Sequence, residues 1–370
     1  MTCETDFTYS NRLKNVTRQF DPYLDRRHFI RLDRNEDPVG YDEKFFKTWV
    51  NSLTVHDIAA YADSTSLIHK LAAWLNVTEE NVYITAGSDA IIKNIFEVYI
   101  DPGHTILIQD PSWRMYKVYA DIYGATIKYV PYDQDLAFNL EEITHQLKSS
   151  HIRLMIIANP NQPTGTLILK KDLLNLLEVA RQTNTFVVID EAYHLFTECT
   201  LLDAIKEYSN LIVVRTFSKA FGLAGLRIGY AVANRERIKE LMLLRVVTDA
   251  NSLALKFAEY LLDHIPHVMN KIDDFVKGRD FLYHKFHEAR LICYPSHTNF
   301  LLVRCPTLEN AQKIIYAAKE KKYLLKGPFT FSPLENCIRV TTGPLSLMEQ
   351  FWKDCHEIFT QYAQAKPTSL

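Results

Sequence analysis

The segment Arg215-Thr216-Phe217-Ser218-Lys219-Ala220-Phe221-Gly222-Leu223-Ala224-Gly225-Leu226-Arg227 sets one lysine beside the hydroxyls of Thr216 and Ser218 and ahead of the closing Arg227. A guanidinium and neighbouring hydroxyls can grip a phosphate through charge-assisted hydrogen bonds, and a lysine amine can form an imine with an aldehyde. The set suits a phosphorylated, carbonyl-bearing ligand. The competing reading is a solvated loop lysine, the usual state of that residue. Further residues with chemical potential stand in similar settings: Gly87-Ser88, Trp113, Gln162 and Asp190 each follow a short apolar run.

Those runs predict the elements that hold the residues. Segments 82–85, 105–108, 126–130, 154–158, 186–189 and 211–214 are short, apolar and rich in β-branched side chains, as buried strands are. Amphipathic stretches follow most of them, including a helix through about Tyr99, one starting near Leu140 and one over roughly 170–183. Strand, loop and helix in repeated alternation predict an α/β fold with a largely parallel sheet. Ligands of such sheets bind beyond the carboxyl ends of the strands, so the chemically interesting residues should gather along one edge. Upstream, Leu67, Ile68, Leu71, Ala72 and Leu75 share one face of a helix expected over 65–75, with Ser64 as its N-cap. Downstream, a long helical region is expected from 234 to about 270 and a second helix over 276–289. Strands are expected at 299–303 and 337–341, and helices at 311–321 and 348–362.

At 370 residues the chain exceeds the usual size of a single core, so two domains are expected. Its formal net charge of −2, without a Lys/Arg block, argues against a general nucleic-acid or anionic-membrane surface. Cys3, Cys199, Cys293, Cys305, Cys337 and Cys355 are scattered, with no C-x-x-C pair or Cys/His cluster at zinc spacing, which predicts reduced thiols and no metal. The first residues, Met1-Thr2-Cys3-Glu4-Thr5-Asp6, lack the basic and apolar regions of a signal peptide, and no apolar run is long enough to span a bilayer. A cytoplasmic protein without membrane or nucleic-acid partners is expected.

Asp190-Glu191-Ala192-Tyr193 and Thr216-Phe217-Ser218-Lys219-Ala220-Phe221-Gly222-Leu223-Ala224-Gly225-Leu226-Arg227 together resemble the aspartate-aminotransferase-like fold, fold type I of the pyridoxal-phosphate (PLP) enzymes. Within it the chain is most similar to the histidinol-phosphate aminotransferase group. The resemblance extends from Leu32-Asp33-Arg34-Asn35-Glu36 to Arg339-Val340-Thr341-Thr342-Gly343. It implies a large domain with a mostly parallel sheet over 41–265 and a smaller α+β domain built from 1–40 and 266–370. It implies pyridoxal 5′-phosphate as cofactor and transfer of an amino group from a small-molecule donor to a keto or aldehyde acceptor.

Residue by residue, the resemblance makes Lys219 the Schiff-base lysine, which also moves a proton between the substrate Cα and the cofactor. Asp190 matches the carboxylate facing the pyridine nitrogen, and Tyr193 the phenol on the ring oxygen. Trp113 takes the position of the stacked aromatic, with a core tryptophan as the alternative. Gly87, Ser88 and Asp89 at a helix N-terminus, with Thr216, Ser218 and Arg227, match the phosphate cup. Asn35, Lys326 and Arg339 fall at substrate-binding positions. Tyr61 matches a tyrosine that enters the neighbouring subunit's site, which implies a homodimer.

The chain also departs from the group's pattern. Tyr61-Ala62-Asp63 replaces Tyr-Pro-Asp. Asn159-Pro160-Asn161-Gln162-Pro163-Thr164-Gly165 carries glutamine where an asparagine normally donates an amide, so Gln162 and Asn161 are both candidates. Lys326 replaces an arginine, keeping charge without the planar fork. Leu244-Arg245-Val246-Val247-Thr248-Asp249-Ala250-Asn251-Ser252 departs from Arg-x-Pro-Tyr-Asn. The last two changes favour a relative with a different donor or acceptor. Within the fold, the alternative to transamination is a decarboxylase of the threonine-phosphate type. A non-catalytic, cofactor-sensing protein is disfavoured because no DNA-binding module or basic block precedes Asn35.

Overall fold

Successive side chains of the central strands point to opposite faces of the sheet, and because both sets are apolar the chain is layered on both sides. The computed structural model describes residues 10–14, 16–17, 24–246 and 249–363. Met1-Thr2-Cys3-Glu4-Thr5-Asp6 and, within 244–252, Val247 and Thr248 lie outside the described residues.

The elements begin with β1 (Ile30–Leu32), α1 (Glu43–Ser52), α2 (His56–Ala59) and α3 (Thr65–Leu75). Alternation follows: β2 (Val82–Thr85), α4 (Ser88–Tyr99), β3 (Thr105–Asp110), α5 (Met115–Tyr123), β4 (Thr126–Pro131), α6 (Leu140–Ser149), β5 (Ile152–Ala158), α7 (Lys170–Gln182) and β6 (Phe186–Asp190). Next come β7 (Leu211–Thr216), β8 (Gly229–Ala233), α8 (Arg235–Met242), α9 (Ser252–Asp263) and α10 (Ile265–Glu288). The chain closes with β9 (Ile292–Tyr294), β10 (Phe300–Arg304), α11 (Leu308–Glu320), β11 (Tyr323–Leu325), β12 (Cys337–Thr341) and α12 (Leu345–Ala363).

Seven strands form the main sheet in the order β2-β8-β7-β6-β5-β3-β4. β8 runs antiparallel to both of its neighbours, while the pairs from β7 across to β4 are parallel. The carboxyl ends of β2, β3, β5, β6 and β7 therefore share one edge. Met155, Ile157, Val187, Ile189 and Val213 face a core with α1, α3, α7 and α9, and Leu154, Ile156, Val188, Ile212 and Val214 face a second core with α4, α5 and α8. A sheet covered on both faces needs continuous apolar strands, which is why these runs are wholly apolar instead of alternating with polar residues. A third core gathers Leu32, Leu301, Val303, Ile338 and Val340 under α11 and α12. Strand β1 joins it by pairing in parallel with β11.

Three helical expectations need correction. Helix α3 has the expected bounds, but the Ser64 side chain makes no capping bond; the preceding Asp63 accepts from the Thr65 N–H at 2.9 Å instead. The long helical region is divided into α8, α9 and the start of α10. Asn251 opens α9 by accepting from the Ala254 N–H at 2.9 Å, an asparagine in a standard N-cap role. His264, outside helical geometry, and Pro266 in the first turn separate α9 from α10, because proline has no N–H for a continuing helix but suits a beginning. The expected second helix is the latter half of α10, which runs from the first core at Val268, Ile272 and Phe275 to the third core at Leu282 and Phe286.

Behind the sheet edge, the turn after β6 is tied to β7 by a buried ion pair. Arg215 Nε and Nη2 donate to Glu191 Oε2 at 2.9 and 2.8 Å. The Leu201 N–H and the Thr200 hydroxyl also donate to Glu191, so the carboxylate is satisfied on all sides. Arg215→Met strands that carboxylate in the interior and should lower the urea-unfolding free energy by about 3–5 kcal/mol. The double variant Arg215→Met, Glu191→Gln should lose distinctly less. Equal losses in the two would show that the pair does not anchor the turn.

Candidate active site

A cavity of about 340 Å³ opens at the carboxyl ends of the strands, between the main sheet and the third core. Lys219, just past β7, stands in its wall with its ammonium nitrogen 3.1 Å from the Arg34 carbonyl. It also lies 5.9 Å from the centre of the Tyr193 ring. Burial and then the positive charge of Arg339 hold the Lys219 amine down to about 7, with Glu36 and Asp190 partly opposing.

Asp190 is the last residue of β6, where the strand end carries it to the rim. Its Oδ2 accepts from the Tyr116 hydroxyl at 2.6 Å and its Oδ1 from the Ala192 N–H at 3.0 Å. Burial pushes its carboxyl up to about 6 despite those donors. Tyr193 accepts from Asn35 Nδ2 at 2.8 Å, and burial holds its phenol up at about 12. The hydroxyl therefore keeps a proton to donate. Trp113 lines the same cavity and meets Tyr116 edge to face, with centroids 5.3 Å apart.

One pole of the cavity is built to receive an anion. Ser88 and Asp89 begin α4, and Thr216, Ser218 and Arg227 stand beside them. Arg227 Nη1 donates to Ser218 Oγ at 3.4 Å. Gly87 caps α4 at φ +94°, and a Cβ there would lie 2.8 Å from Arg227 Nη2; glycine lets the guanidinium press against the helix start, where the dipole also favours negative charge. The Asp89 carboxylate accepts from the Tyr119 hydroxyl.

A second cationic pole lies on the third core. Arg339 on β12 and Lys326 after β11 are partners in an antiparallel bridge. Arg339 Nη2 donates to the Asp33 carbonyl at 3.0 Å, while its Nε is buried without a partner. A buried guanidinium N–H left open marks a place for an acceptor that is not part of the chain. Trp113, Gln162, Lys326 and Arg339 also line an adjoining cavity of about 590 Å³, whose far walls include Tyr129, Phe329 and Phe331.

The structure thus gathers Lys219, Asp190, Tyr193, Ser88, Asp89, Trp113, Gln162, Thr216, Ser218, Arg227, Asn35, Lys326 and Arg339 around one cavity. Gly87 stands behind that wall, against Arg227. Asn161 does not reach it: its Nδ2 donates to the Pro111 carbonyl and Thr164, and its Oδ1 accepts from Ser112. Of the two amides it is Gln162 that faces the cavity. Tyr61 is 88 % exposed and lies apart from the cavity. Sequence reasoning missed Tyr116, Asp33 and Arg34 as site residues. Tyr116 lies three residues after Trp113, across the turn that opens α5, and sequence distance from Trp113 was the usable signal. Asp33 and Arg34 contribute carbonyl oxygens, which no side-chain pattern reveals. The buried hydroxyls of Thr216 and Ser218 and the exposed Arg227 guanidinium at one pole, with an amine and a carboxylate beyond them, fit a flat phosphorylated aldehyde.

The chain is similar to known proteins along most of its length. A model of the family described as aminotransferase class I and II matches residues 43–353. The histidinol-phosphate aminotransferase of Caldanaerobacter subterraneus subsp. tengcongensis is 33% identical over 321 residues, covering 85% of this chain and 88% of the relative. That of Methanocaldococcus jannaschii is 30% identical over 380 residues, covering 96% and 100%. Among solved structures, the histidinol-phosphate aminotransferase of Sinorhizobium meliloti in complex with pyridoxal-5′-phosphate superimposes with a TM-score of 0.82 at 23% identity, covering 96% of this chain and 99% of that one.

In the cofactor-free protein, labelling of Lys219 by an amine-reactive reagent, followed by peptide mass, should titrate with a midpoint near pH 7. Arg339→Met removes a charge that lowers this value and should move the midpoint upward. A wild-type midpoint close to the free-lysine value of about 10.4 would show that the cavity does not hold the amine neutral.

Proposed function

The chain belongs to the class I and II aminotransferases, and from that premise we propose that it moves an amino group from histidinol phosphate, or a closely similar phosphate-bearing amine, to a keto acceptor. One observation carries the reading: the Lys219 amine stands between two separate cationic poles. One pole suits a cofactor phosphate, and the other suits an acidic group of the substrate. The changes at Lys326 and in 244–252 favoured a different donor or acceptor. Against them stand relatives at 30–33% identity over most of the chain that carry the histidinol-phosphate name, which supports that substrate as the first candidate. Neither the decarboxylase nor the cofactor-sensing alternative gains support from these matches.

The cofactor is pyridoxal phosphate, which when bound supplies a ring that accepts electron density from the substrate Cα. Ser88, Thr216, Ser218 and Arg227 would hold its phosphate, Asp190 its ring nitrogen, Tyr193 and Gln162 its ring oxygen, and Trp113 its face. With its proton affinity set near neutrality, Lys219 can take a proton from the substrate Cα and return it at a neighbouring carbon. Arg339 offers its unpartnered Nε to a substrate oxygen, and Lys326 supplies a point charge beside it. The adjoining cavity leaves room for the distal part of the substrate.

The working form is proposed to be a homodimer in the cytoplasm. Val55, Ile58 and Tyr61 are exposed on one stretch of the chain, and Leu243 and Val246 on another, whose Arg245 lines a small cavity with Ala62; exposed apolar groups gathered in this way mark an interaction surface. A second copy seated there would receive Tyr61 in its own site.

Purified protein loaded with pyridoxal phosphate should change its near-visible absorbance on adding histidinol phosphate, and regain the original spectrum on adding a keto acid. Lys219→Ala should yield no borohydride-stable cofactor adduct. A spectrum that responds to glutamate and other amines but never to histidinol phosphate would overturn the substrate assignment. For the dimer, mixing inactive Lys219→Ala with weakened Tyr61→Phe should give activity above both parents, because one site of each mixed pair regains both residues. Absence of recovery in verified mixed dimers removes the shared-site reading.

A further inference from the structure

The segment between β1 and α1 passes between the cores and touches the site repeatedly, through Asp33 to Arg339, Arg34 to Lys219 and Asn35 to Tyr193. Farther along, it carries Asp37, paired with Lys271 of α10; their side chains are 3% and 12% exposed. Asp37 Oδ1 accepts from the Val39 and Gly40 N–H groups at 3.0 and 2.9 Å, while Oδ2 receives the Lys271 ammonium. That ammonium also lies 3.9 Å from the centre of the Tyr41 ring.

The turn that begins at Lys219 packs directly against this pair. The Gly222 N–H donates to the Lys219 carbonyl at 2.9 Å and closes the turn. Gly222 has φ +68°, and a Cβ there would lie 2.6 Å from Asp37 Oδ2. The Tyr41 hydroxyl donates to the Phe221 carbonyl at 3.0 Å. Lys271 itself sits on the helix that joins the first and third cores. Neither Asp37 nor Lys271 lines the cavity. An ion pair in the interior is often no more stable than apolar packing, so its place against the lysine turn, not added stability, accounts for it.

Resting on the function proposed above, we infer that Asp37 and Lys271 are positioning residues: the pair fixes the Lys219 turn to α10, so the amine is placed by the helix that spans both cores. The test uses the full chain with pyridoxal phosphate. Lys271→Met should lower kcat by about 10- to 100-fold, the range of a misplacement remote from the chemistry, with the KM for the amino donor nearly unchanged. Lys271→Arg should restore most of kcat. In the cofactor-free protein, capture of pyridoxal phosphate as a borohydride-stable adduct on Lys219 should slow in parallel. The double variant Asp37→Asn, Lys271→Met leaves no unpaired charge, so it keeps the test open if the single variant unfolds; the same losses are expected. Wild-type kcat and capture rate in these variants, with only a lower melting temperature, would overturn the positioning role alone. Failure of the wild type to form any adduct would overturn the cofactor assignment and this inference with it.

Discussion

Burial of one amine among cations is the constraint on which the rest of the site depends. Lys219 shares its cavity with Arg227, Arg339 and Lys326, facing Asp190 and Glu36 in return. Burial does most to weaken the amine's hold on its proton, and the positive charges of Arg339 and Arg227 add to it. The carboxylates offset only part of it, so the amine tends to neutrality near pH 7. An unprotonated lysine is both nucleophile and base, and the cations that add to burial in making it so are among the groups that attract a doubly anionic ligand pair. Placement of the cations thus sets the lysine's chemistry and the ligand preference together.

The main sheet was largely legible because strands covered on both faces must be continuously apolar, and such runs stand out against the helices between them. Asp190 and Lys219 could be found because strand ends deliver them to one edge. Less was legible where tertiary geometry chose among equivalent residues. Asn161 and Gln162 both carry an amide, and only packing against Pro111, Ser112 and Thr164 decides which is engaged internally. Ser64 and Asp63 can each cap α3, and backbone placement favours Asp63. The division of the 234–270 region turned on Pro266 and on the geometry at His264, which an apolar periodicity passes over. Backbone acceptors such as the Asp33 and Arg34 carbonyls leave no trace in residue type.

The cationic pole on the third core shows how little backbone is needed to define a ligand contact. Arg339 in β12 and Lys326, just after β11, meet through a single isolated bridge, yet that bridge sets the two charges side by side. With an arginine in place of Lys326, two planar forks would stand next to each other; with lysine, one fork is joined by a flexible point charge. The Arg339 geometry stays fixed by Asp33, while Lys326, exposed at the cavity mouth, can follow ligands of different length.

The pairing of β1 with β11 also bears on how the protein is made. Asn35 reaches Thr341 across a separation of 306 residues. The large sheet is complete in sequence by Ala233, so a chain emerging from the ribosome can assemble the phosphate pole long before the second cationic pole exists. During that interval β1 has no β11 to pair with. Closure of the site is thus a late event in synthesis, and the grip on the substrate is gained only when nearly the whole chain is available to fold.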